Sequence, residues 1–260
     1  MTAPVSVVMA TYNGVRYLPE QLGTLLADLA PDDEVVVIDD ASSDGTPALV
    51  RALGDPRIRL IAHARNHGVR ATFEEGLAAA SADVVFLCDQ DDRWMPGKRD
   101  ALRACFDADP QCLVALSDAE LIDGQNRVTV PSFMRSKGGF APALVATVVR
   151  NRYLGCTMAV RRRLIDAALP IPARSPMHDM WLGGLAARLG NVAYVDRPLT
   201  QYRRHGGNVS PSSPQALRQM LVWRWDLWRL VLARVATVRW RQWRGRAPSR
   251  RHGARPEDAC

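Results

Sequence analysis

Short apolar runs alternate with helix-like segments through the first ninety residues, and this alternation limits the folds that the chain can adopt. Four runs have the length and composition of buried strands: residues 5–10, 34–39, 58–62 and 83–89. Between them, apolar spacing predicts helices over residues 17–29 and 71–80. A further helix is predicted to begin with Thr46 as its N-cap and Pro47 as its first helical residue. Repeated strand–helix units predict an α/β fold with a mainly parallel sheet that binds its ligand at the carboxyl ends of the strands.

The second half of the chain is less regular. Residues 113–130 are typical of two strands joined by a turn at Asp123-Gly124, and residues 156–160 of a buried strand. Pro176 and Gly190 bracket a predicted helix, and residues 191–195 and 199–203 form the last two predicted strands. We therefore expect a ligand-binding half (1–110), a second half (111–210) and a tail (211–260). In the tail, a linker at residues 210–214 precedes a long helix from 215 to about 243, and the end is disordered.

Positive charge is concentrated in this tail. The chain has 34 Lys and Arg against 27 Asp and Glu, but residues 216–256 carry 11 Arg and a single acid, Asp226. The same segment holds five tryptophans: Trp223, Trp225, Trp228, Trp240 and Trp243. Arginines with interfacial aromatics favour peripheral docking on an anionic membrane. A helix packed on the domain, with its Arg stems along apolar surface, is the alternative. Since no recognition motif accompanies the charge, we expect no nucleic-acid partner.

The cysteines and the apolar stretches bear on the compartment. None of the five cysteines forms a CxxC pair, and Cys88 and Cys156 lie inside apolar runs, which favours buried thiols and a reducing compartment. We find neither a signal-peptide pattern nor an uncharged stretch of 18 residues. The expectation is a cytoplasmic protein, with the inner face of the cell membrane as the place where the tail would dock.

An acidic cluster, Asp89-Gln90-Asp91-Asp92, follows the fourth predicted strand directly. Three carboxylates held this close repel one another unless a cation lies between them, and carboxylate oxygens are natural ligands of Mg²⁺ or Mn²⁺. A solvated acidic turn before a helix beginning near Pro96 is the alternative. The position at the carboxyl end of a strand favours the metal site.

A second acidic pair, Asp39-Asp40, ends the second predicted strand in the same way. One carboxylate could cap the turn before Thr46, or it could accept the N3–H of a pyrimidine base. Together with the acidic cluster, the pair favours a nucleotide site.

Four segments in order resemble the inverting glycosyltransferase family two, which has the GT-A fold. They are VSVVMATYNG, VVVIDDASSDGT, VVFLCDQDDRWMPGK and MHDMW…PLTQYRRHGGNVS, spread over residues 4 to about 210. The forms DQDDRW and YRRHGGNVS are most similar to the rhamnosyltransferase-like members that build bacterial surface glycans. The resemblance implies a Rossmann-like nucleotide-sugar half, an acceptor half and a helical C-terminal appendage.

The resemblance also implies a role for individual residues. Those expected to bind the nucleotide sugar are Thr11, Tyr12, Asn13, Asp39, Asp40, Asn66, Asp89, Gln90 and Arg204. Asp40 would accept the base N3–H, while Asp39 supports the turn. Asp91 would bind Mg²⁺ or Mn²⁺ directly, and His205 would contact the metal or the diphosphate. Asp179 falls where the family has its catalytic base.

Three positions depart from the family pattern. His178 replaces the glutamate that usually precedes the base, Thr72 stands where many relatives have asparagine, and the turn reads ASSDGT instead of GSTDGT. None of these changes removes a group that sugar transfer requires.

The expected activity is transfer of a sugar, with inversion, from a dTDP- or UDP-sugar to a hydroxyl of a bacterial surface glycan or lipid-linked acceptor. Uracil and thymine both present N3–H, so only the resemblance points to dTDP-rhamnose. Two alternatives are a catalytically inactive family member that serves as a nucleotide-sugar-binding assembly subunit, and a nucleotidyltransferase. The lack of a Gly-rich phosphate loop after the first strand disfavours the latter.

Overall fold

The computed structural model describes residues 3–142, 151–204 and 216–246. Within these ranges the strands join in a single sheet. They are β1 (Val5–Thr11), β2 (Glu34–Asp39), β3 (Ile58–Ala62), β4 (Val84–Asp89), β5 (Arg93–Trp94), β6 (Cys112–Ile122), β7 (Val128–Val130), β8 (Met158–Arg161) and β9 (Asn191–Arg203). Their order is β3-β2-β1-β4-β8-β6-β9-β5, with β7 paired to β6.

The helices lie on both faces of the sheet. They are α1 (Leu18–Asp28), α2 (Thr46–Ala52), α3 (Val69–Ala79), α4 (Lys98–Ala108), α5 (Phe133–Ser136), α6 (Arg162–Ala168), α7 (His178–Leu189) and α8 (Ala216–Arg246). A 3-10 turn, Gly155–Thr157, precedes β8. The α/β architecture predicted from the sequence is confirmed.

The first half follows the predicted pattern closely. The strands β1 to β4 are parallel and in the order β3-β2-β1-β4, and each begins and ends within one residue of its prediction. The expected N-cap at Thr46 is wrong by one residue: Gly45, in the left-handed region at φ 89°, is the cap. The helix expected near Pro96 begins at Lys98, after Gly97 at φ 82°. In both places a glycine makes the turn that starts the helix.

The second half differs more from its prediction. β8 runs antiparallel to both β4 and β6, so the sheet is mixed. The two strands predicted at 191–195 and 199–203 are one strand, β9, parallel to β6 and interrupted by an irregularity where Val195 and Pro198 pair with successive residues of β6. The predicted strand at Cys156 begins only at Met158, because the residues before it form the 3-10 turn.

The side chains of each strand alternate between two apolar cores. On one face, Val7 and Met9 of β1 pack with α1 and α4. On the other face, Val8 packs against α3 and belongs to the core that also includes side chains of α6, α7 and α8. Alternation along β1 therefore buries both faces of the sheet, as its continuous apolar sequence requires.

The tail helix α8 is part of this second core. Leu227, Val231 and Val235, at helical spacing, are buried against α7. Arg234 donates hydrogen bonds to carbonyls at the end of α6, including that of Leu169 at 2.9 Å. None of the helices in the described part of the chain has the length and apolarity that crossing a membrane requires.

Two glycines allow a matched test of the packing between α3 and β1. A Cβ at Gly76 would overlap Val8 Cγ1 and lie 3.3 Å from Ile38 Cγ1, whereas nothing lies within 4 Å of one at the exposed Gly23 of α1. We expect Gly76→Ala to lower the free energy of unfolding by about 1–3 kcal/mol through overpacking. Gly23→Ala should raise it by up to about 1 kcal/mol through helix propensity. Urea unfolding measures both, and equal stabilisation by the two would contradict close packing at Gly76.

Candidate active site

A cavity of about 680 Å³ opens at the carboxyl ends of β1, β2 and β4. Its wall includes nine of the residues that the sequence singles out: Thr11, Tyr12, Asn13, Asp40, Asn66, Asp89, Gln90, Asp91 and Asp179. The carboxylates that follow β2 and β4 thus share one cleft with the carboxylate of α7.

Three expected residues are not among those that line the cavity. Asp39 is buried behind the wall. Arg204 is exposed and does not line the cavity, and its guanidinium lies 5.9 Å from the ring of Tyr202, which does. His205 lies outside the described residues. Nine further lining residues were given no site role from the sequence: Ala10, Gly68, Val69, Thr72, Leu154, Gly155, Met177, His178 and Tyr202.

Asp39 organises the turn after β2. Its carboxylate accepts hydrogen bonds from Thr11 Oγ1 at 3.0 Å and from the Ser42 backbone N–H at 3.0 Å. Asn13, at φ 49°, accepts a hydrogen bond from the Ser43 N–H through its side chain. The loops after β1 and β2 are therefore tied together at the floor of the cavity.

Asp40 is held by several donors from the loop between β3 and α3. Its Oδ1 atom accepts from His67 N–H at 2.8 Å and lies 2.9 Å from His63 Nδ1, and its Oδ2 atom accepts from Gly68 N–H at 2.8 Å. Asn66 donates to the Asp40 carbonyl at 3.2 Å. Burial raises the pKa of Asp40, but these donors outweigh it and hold the pKa below the usual value.

Gln90 joins the loops after β1 and β4. Its side-chain amide accepts from the Tyr12 N–H at 2.8 Å and donates to the Tyr12 carbonyl at 2.9 Å. Gly14 allows this contact, because a Cβ there would overlap the Gln90 amide. The geometry gives Gln90 a positioning role, since both ends of its amide are engaged by protein backbone.

The acidic cluster carries unfavourable charge. Burial raises the pKa of Asp89 well above its usual value, and the nearby carboxylates of Asp92, Asp91 and Asp179 raise it further. Burial and the Asp91 carboxylate raise the pKa of Asp92 to about 7. Like charges in a partly desolvated space disfavour ionisation of one another, and an added cation relieves this repulsion.

Arg203 holds the backbone of the acidic loop. Its Nε atom donates to the Asp91 carbonyl at 2.7 Å and its backbone N–H to Asp92 Oδ1 at 2.9 Å. The guanidinium, which is almost completely buried, also pairs with Glu20 at 2.9 Å. Arg203 therefore supports the acidic loop from the side away from the cavity, which it does not line.

Lys98 is a second buried cation close to the cluster. Its Nζ donates to the Cys156 carbonyl at 2.6 Å and lies 4.1 Å from the centre of the Trp94 ring. Burial lowers the pKa of Lys98, while the charge of Asp92 opposes that shift. Its positive charge in turn lowers the pKa of both Asp89 and Asp92.

The donor set around β4 suits a hard divalent cation. Ligand atoms of Asp89, Asp92 and Cys156 lie within 4.8 Å of one another, and Asp91 lines the cavity beside them. Burial raises the pKa of the Cys156 thiol well above its usual value, so this group stays protonated. Carboxylate oxygens are the ligands available to the cavity, which fits Mg²⁺ or Mn²⁺ better than a soft metal.

Asp179 occupies the first turn of α7. Its carboxylate accepts hydrogen bonds from the Gly155 N–H at 3.3 Å and the Met180 N–H at 2.6 Å. Burial raises its pKa to about 6, although these two donors oppose the shift. A carboxylate with a raised pKa that faces a cavity has the properties of a general base.

His178, beside it, is neutral and enclosed. Its ring stacks on Phe73 at 3.8 Å, and neither ring nitrogen has a hydrogen-bond partner among the described residues. Burial lowers its pKa to about 3. The residue that replaces the family's glutamate therefore brings no charge to the site.

A family model supports the relationship suggested by the motifs. The model described as glycosyl transferase family 2 matches residues 6–167. The chain belongs to this family. The matched region includes Asp40 and Asp89–Asp92 and ends before Asp179. Succinoglycan biosynthesis protein ExoO of Rhizobium meliloti is 34% identical over 146 residues, which are 51% of this chain and 42% of that protein.

Solved structures of two other proteins share the fold. S. aureus TarS in complex with UDP-GlcNAc superposes with a TM-score of 0.68 at 22% identity, covering 89% of this chain and 66% of that one. The mannosyltransferase PcManGT of Pyrobaculum calidifontis, with GDP-Man and Mn²⁺, gives 0.60 at 19% identity, covering 97% and 76%. The chain therefore has the GT-A fold, and the predicted fold and family are confirmed.

Proposed function

We propose that this chain is an inverting glycosyltransferase that moves a sugar from a pyrimidine nucleoside diphosphate to a hydroxyl acceptor. The main support is that Asp40, Asp91 and Asp179 line the same cavity. Inverting transfer needs a base for the acceptor hydroxyl and stabilisation of the charge on the departing diphosphate. Asp40 is suited to recognising the base, Asp91 to binding the cation and Asp179 to accepting the proton.

Asp91, with Asp89 beside it, would hold Mg²⁺ or Mn²⁺ at the cavity wall. Such an ion, when bound, acts as a Lewis acid toward the diphosphate oxygens. The repulsion that raises the pKa of Asp89 supports this assignment, as does the Mn²⁺ in the mannosyltransferase structure. Arg203 would hold the ligand loop through its hydrogen bonds, and the charge of Lys98 would stabilise the ionised carboxylates.

Asp179 would accept the proton of the attacking hydroxyl. Its position at the amino end of α7 favours the ionised form, and its raised pKa makes it a stronger base than an ordinary aspartate. Gly155 and Met180 fix the carboxylate through their backbone N–H groups, which orients it toward the cavity.

The donor and acceptor are proposed in general terms. Asp40 can accept N3–H from uracil or thymine alike, and similarity to rhamnosyltransferase-like sequences favours dTDP-rhamnose. The TarS complex with UDP-GlcNAc supports a pyrimidine donor, and the succinoglycan biosynthesis protein supports a bacterial polysaccharide or its lipid-linked precursor as the product. The match covers only 42% of that relative, so the activity of the whole relative is not assigned to this chain.

The function is tested by measuring nucleoside diphosphate release from UDP-, dTDP- and GDP-sugars, with Mn²⁺ or with EDTA. The acceptors are lipid-linked glycan precursors extracted from bacterial membranes. We expect Mn²⁺-dependent release from a pyrimidine donor. Binding of a donor without any release would favour the inactive assembly subunit. Release of pyrophosphate from a nucleoside triphosphate would favour a nucleotidyltransferase.

Asp179→Asn should reduce turnover by about 10² to 10⁴, because the base is lost, and leave nucleoside diphosphate affinity within about twofold. Asp166→Asn is the matched control, since Asp166 is exposed on α6 and does not line the cavity. The measurements are kcat/KM and calorimetric binding.

The same role predicts an acid limb in the pH profile. A base must be ionised, so kcat/KM should fall as pH drops through about 6, the pKa of Asp179 in the free enzyme. A substantial rate for Asp179→Asn, with the acid limb unchanged, would contradict the assignment.

We also propose peripheral contact between α8 and the inner face of the cell membrane, where a lipid-linked acceptor would be found. The face of α8 opposite its buried stripe exposes Val222, Trp225 and Trp240 to solvent, with Trp225 62% exposed. Arg229 and Arg241 are exposed near them. Apolar and aromatic side chains flanked by arginines suit an anionic bilayer surface.

The packing of α8 explains why its arginines are spread around the helix. Arg234 and Arg239 donate to backbone carbonyls of the domain, including those of Leu169 and Arg188. Arg229 and Arg241 remain exposed. Docking on the domain and docking on a membrane thus use different faces of one helix.

Flotation with liposomes tests the membrane contact. We expect recovery with anionic vesicles and little with neutral ones, reduced severalfold by the double substitution Trp225→Ala and Trp240→Ala. Leu53→Ala removes an apolar side chain of similar exposure, 45%, at the C-cap of α2 and should have no effect. Equal recovery with neutral and anionic vesicles would count against the proposal.

A further inference from the structure

His63 lies between two carboxylates at the end of β3. Its Nδ1 atom is 2.9 Å from Asp40 Oδ1 and its Nε2 atom is 2.8 Å from Glu75 Oε2 on α3. The imidazole is 8% exposed, and the backbone N–H of His63 donates to the Asp39 carbonyl at 2.8 Å. Both ring nitrogens and the main chain of His63 are thus fixed.

The surroundings favour the protonated ring, which donates from both nitrogens. The hydrogen bond with Asp40 raises the pKa of His63, burial opposes this, and Glu75 raises it further. The ring of His67 lies beside it, with the two ring centres 4.7 Å apart, and His67 Nε2 accepts a hydrogen bond from Arg65 Nε at 3.4 Å. The protonated ring donates to both carboxylates and offsets one of their two negative charges.

The contacts of Asp40 leave one hydrogen-bond acceptor position of its carboxylate unused. A carboxylate has about four lone-pair positions. At Oδ1, His63 and His67 take two of them, and at Oδ2, Gly68 takes one. The position that remains belongs to Oδ2, on the residue that lines the cavity. Rotation of the carboxylate would break the bond to His63.

We propose that His63 is a positioning residue that fixes the Asp40 carboxylate so that one acceptor position is presented to the base of the donor. The inference rests on the proposed function, and it adds a specificity determinant to it. Uracil and thymine donate a hydrogen bond from N3, whereas N3 of cytosine is itself an acceptor. A carboxylate held in this way therefore selects uridine or thymidine over cytidine.

UDP-glucose and CDP-glucose, which differ only in the base, provide the test. The unmodified protein should bind UDP-glucose about tenfold more tightly in calorimetry with Mg²⁺ present. His63→Leu removes the donor and should bring the two affinities within about twofold, mostly by weakening UDP-glucose binding. His63→Asn places an amide N–H where Nδ1 lies and should restore most of the preference.

His67→Leu is the control, because His67 contributes only its backbone N–H to Asp40 and should keep the full preference. If His63→Leu fails to fold, as judged by its thermal transition, His63→Gln serves instead, since its amide extends past the Nδ1 position. A preference unchanged in His63→Leu or His63→Gln would overturn the inference. A protein that binds neither nucleotide sugar would instead refute the proposed function.

Discussion

The repulsion among the carboxylates after β4 is the interaction on which the site depends. Asp89, Asp91 and Asp92 are brought together because a buried strand ends there. Burial and mutual repulsion raise the pKa of Asp89 and Asp92. The buried Lys98 lowers both pKa values in part, and Arg203 donates a hydrogen bond to Asp92, but together they do not neutralise the loop. The charge that remains faces the cavity, where a divalent ion would be stabilised.

The first half of the fold could be predicted because its signals are local. The strands from β1 to β4 are continuous apolar runs ended by polar turns, and parallel neighbours bring the ends of these runs to one edge of the sheet. The shared position of Asp40 and Asp91 follows from that rule. Small errors arose where glycines such as Gly45 and Gly97 made the turn in place of a side-chain cap.

The supports of the site could not be read from the sequence, because they come from distant segments. Arg203 reaches the acidic loop because β9 pairs with both β6 and β5. The irregularity within β9 looks like a loop in the sequence, so the strand was predicted as two. His63 and Gln90 act through side-chain contacts whose partners are 23 and 78 residues away. Spacing alone carries no information about such contacts.

The central claim is that a divalent ion held by the carboxylates after β4 binds the donor's diphosphate. Anomalous scattering from a crystal grown with Mn²⁺ and UDP tests it most directly. We expect one strong manganese peak bonded to the Asp91 carboxylate and to phosphate oxygens, within the cavity that also contains Asp179. UDP bound there with no manganese between it and Asp91, or manganese bound only elsewhere, would contradict it.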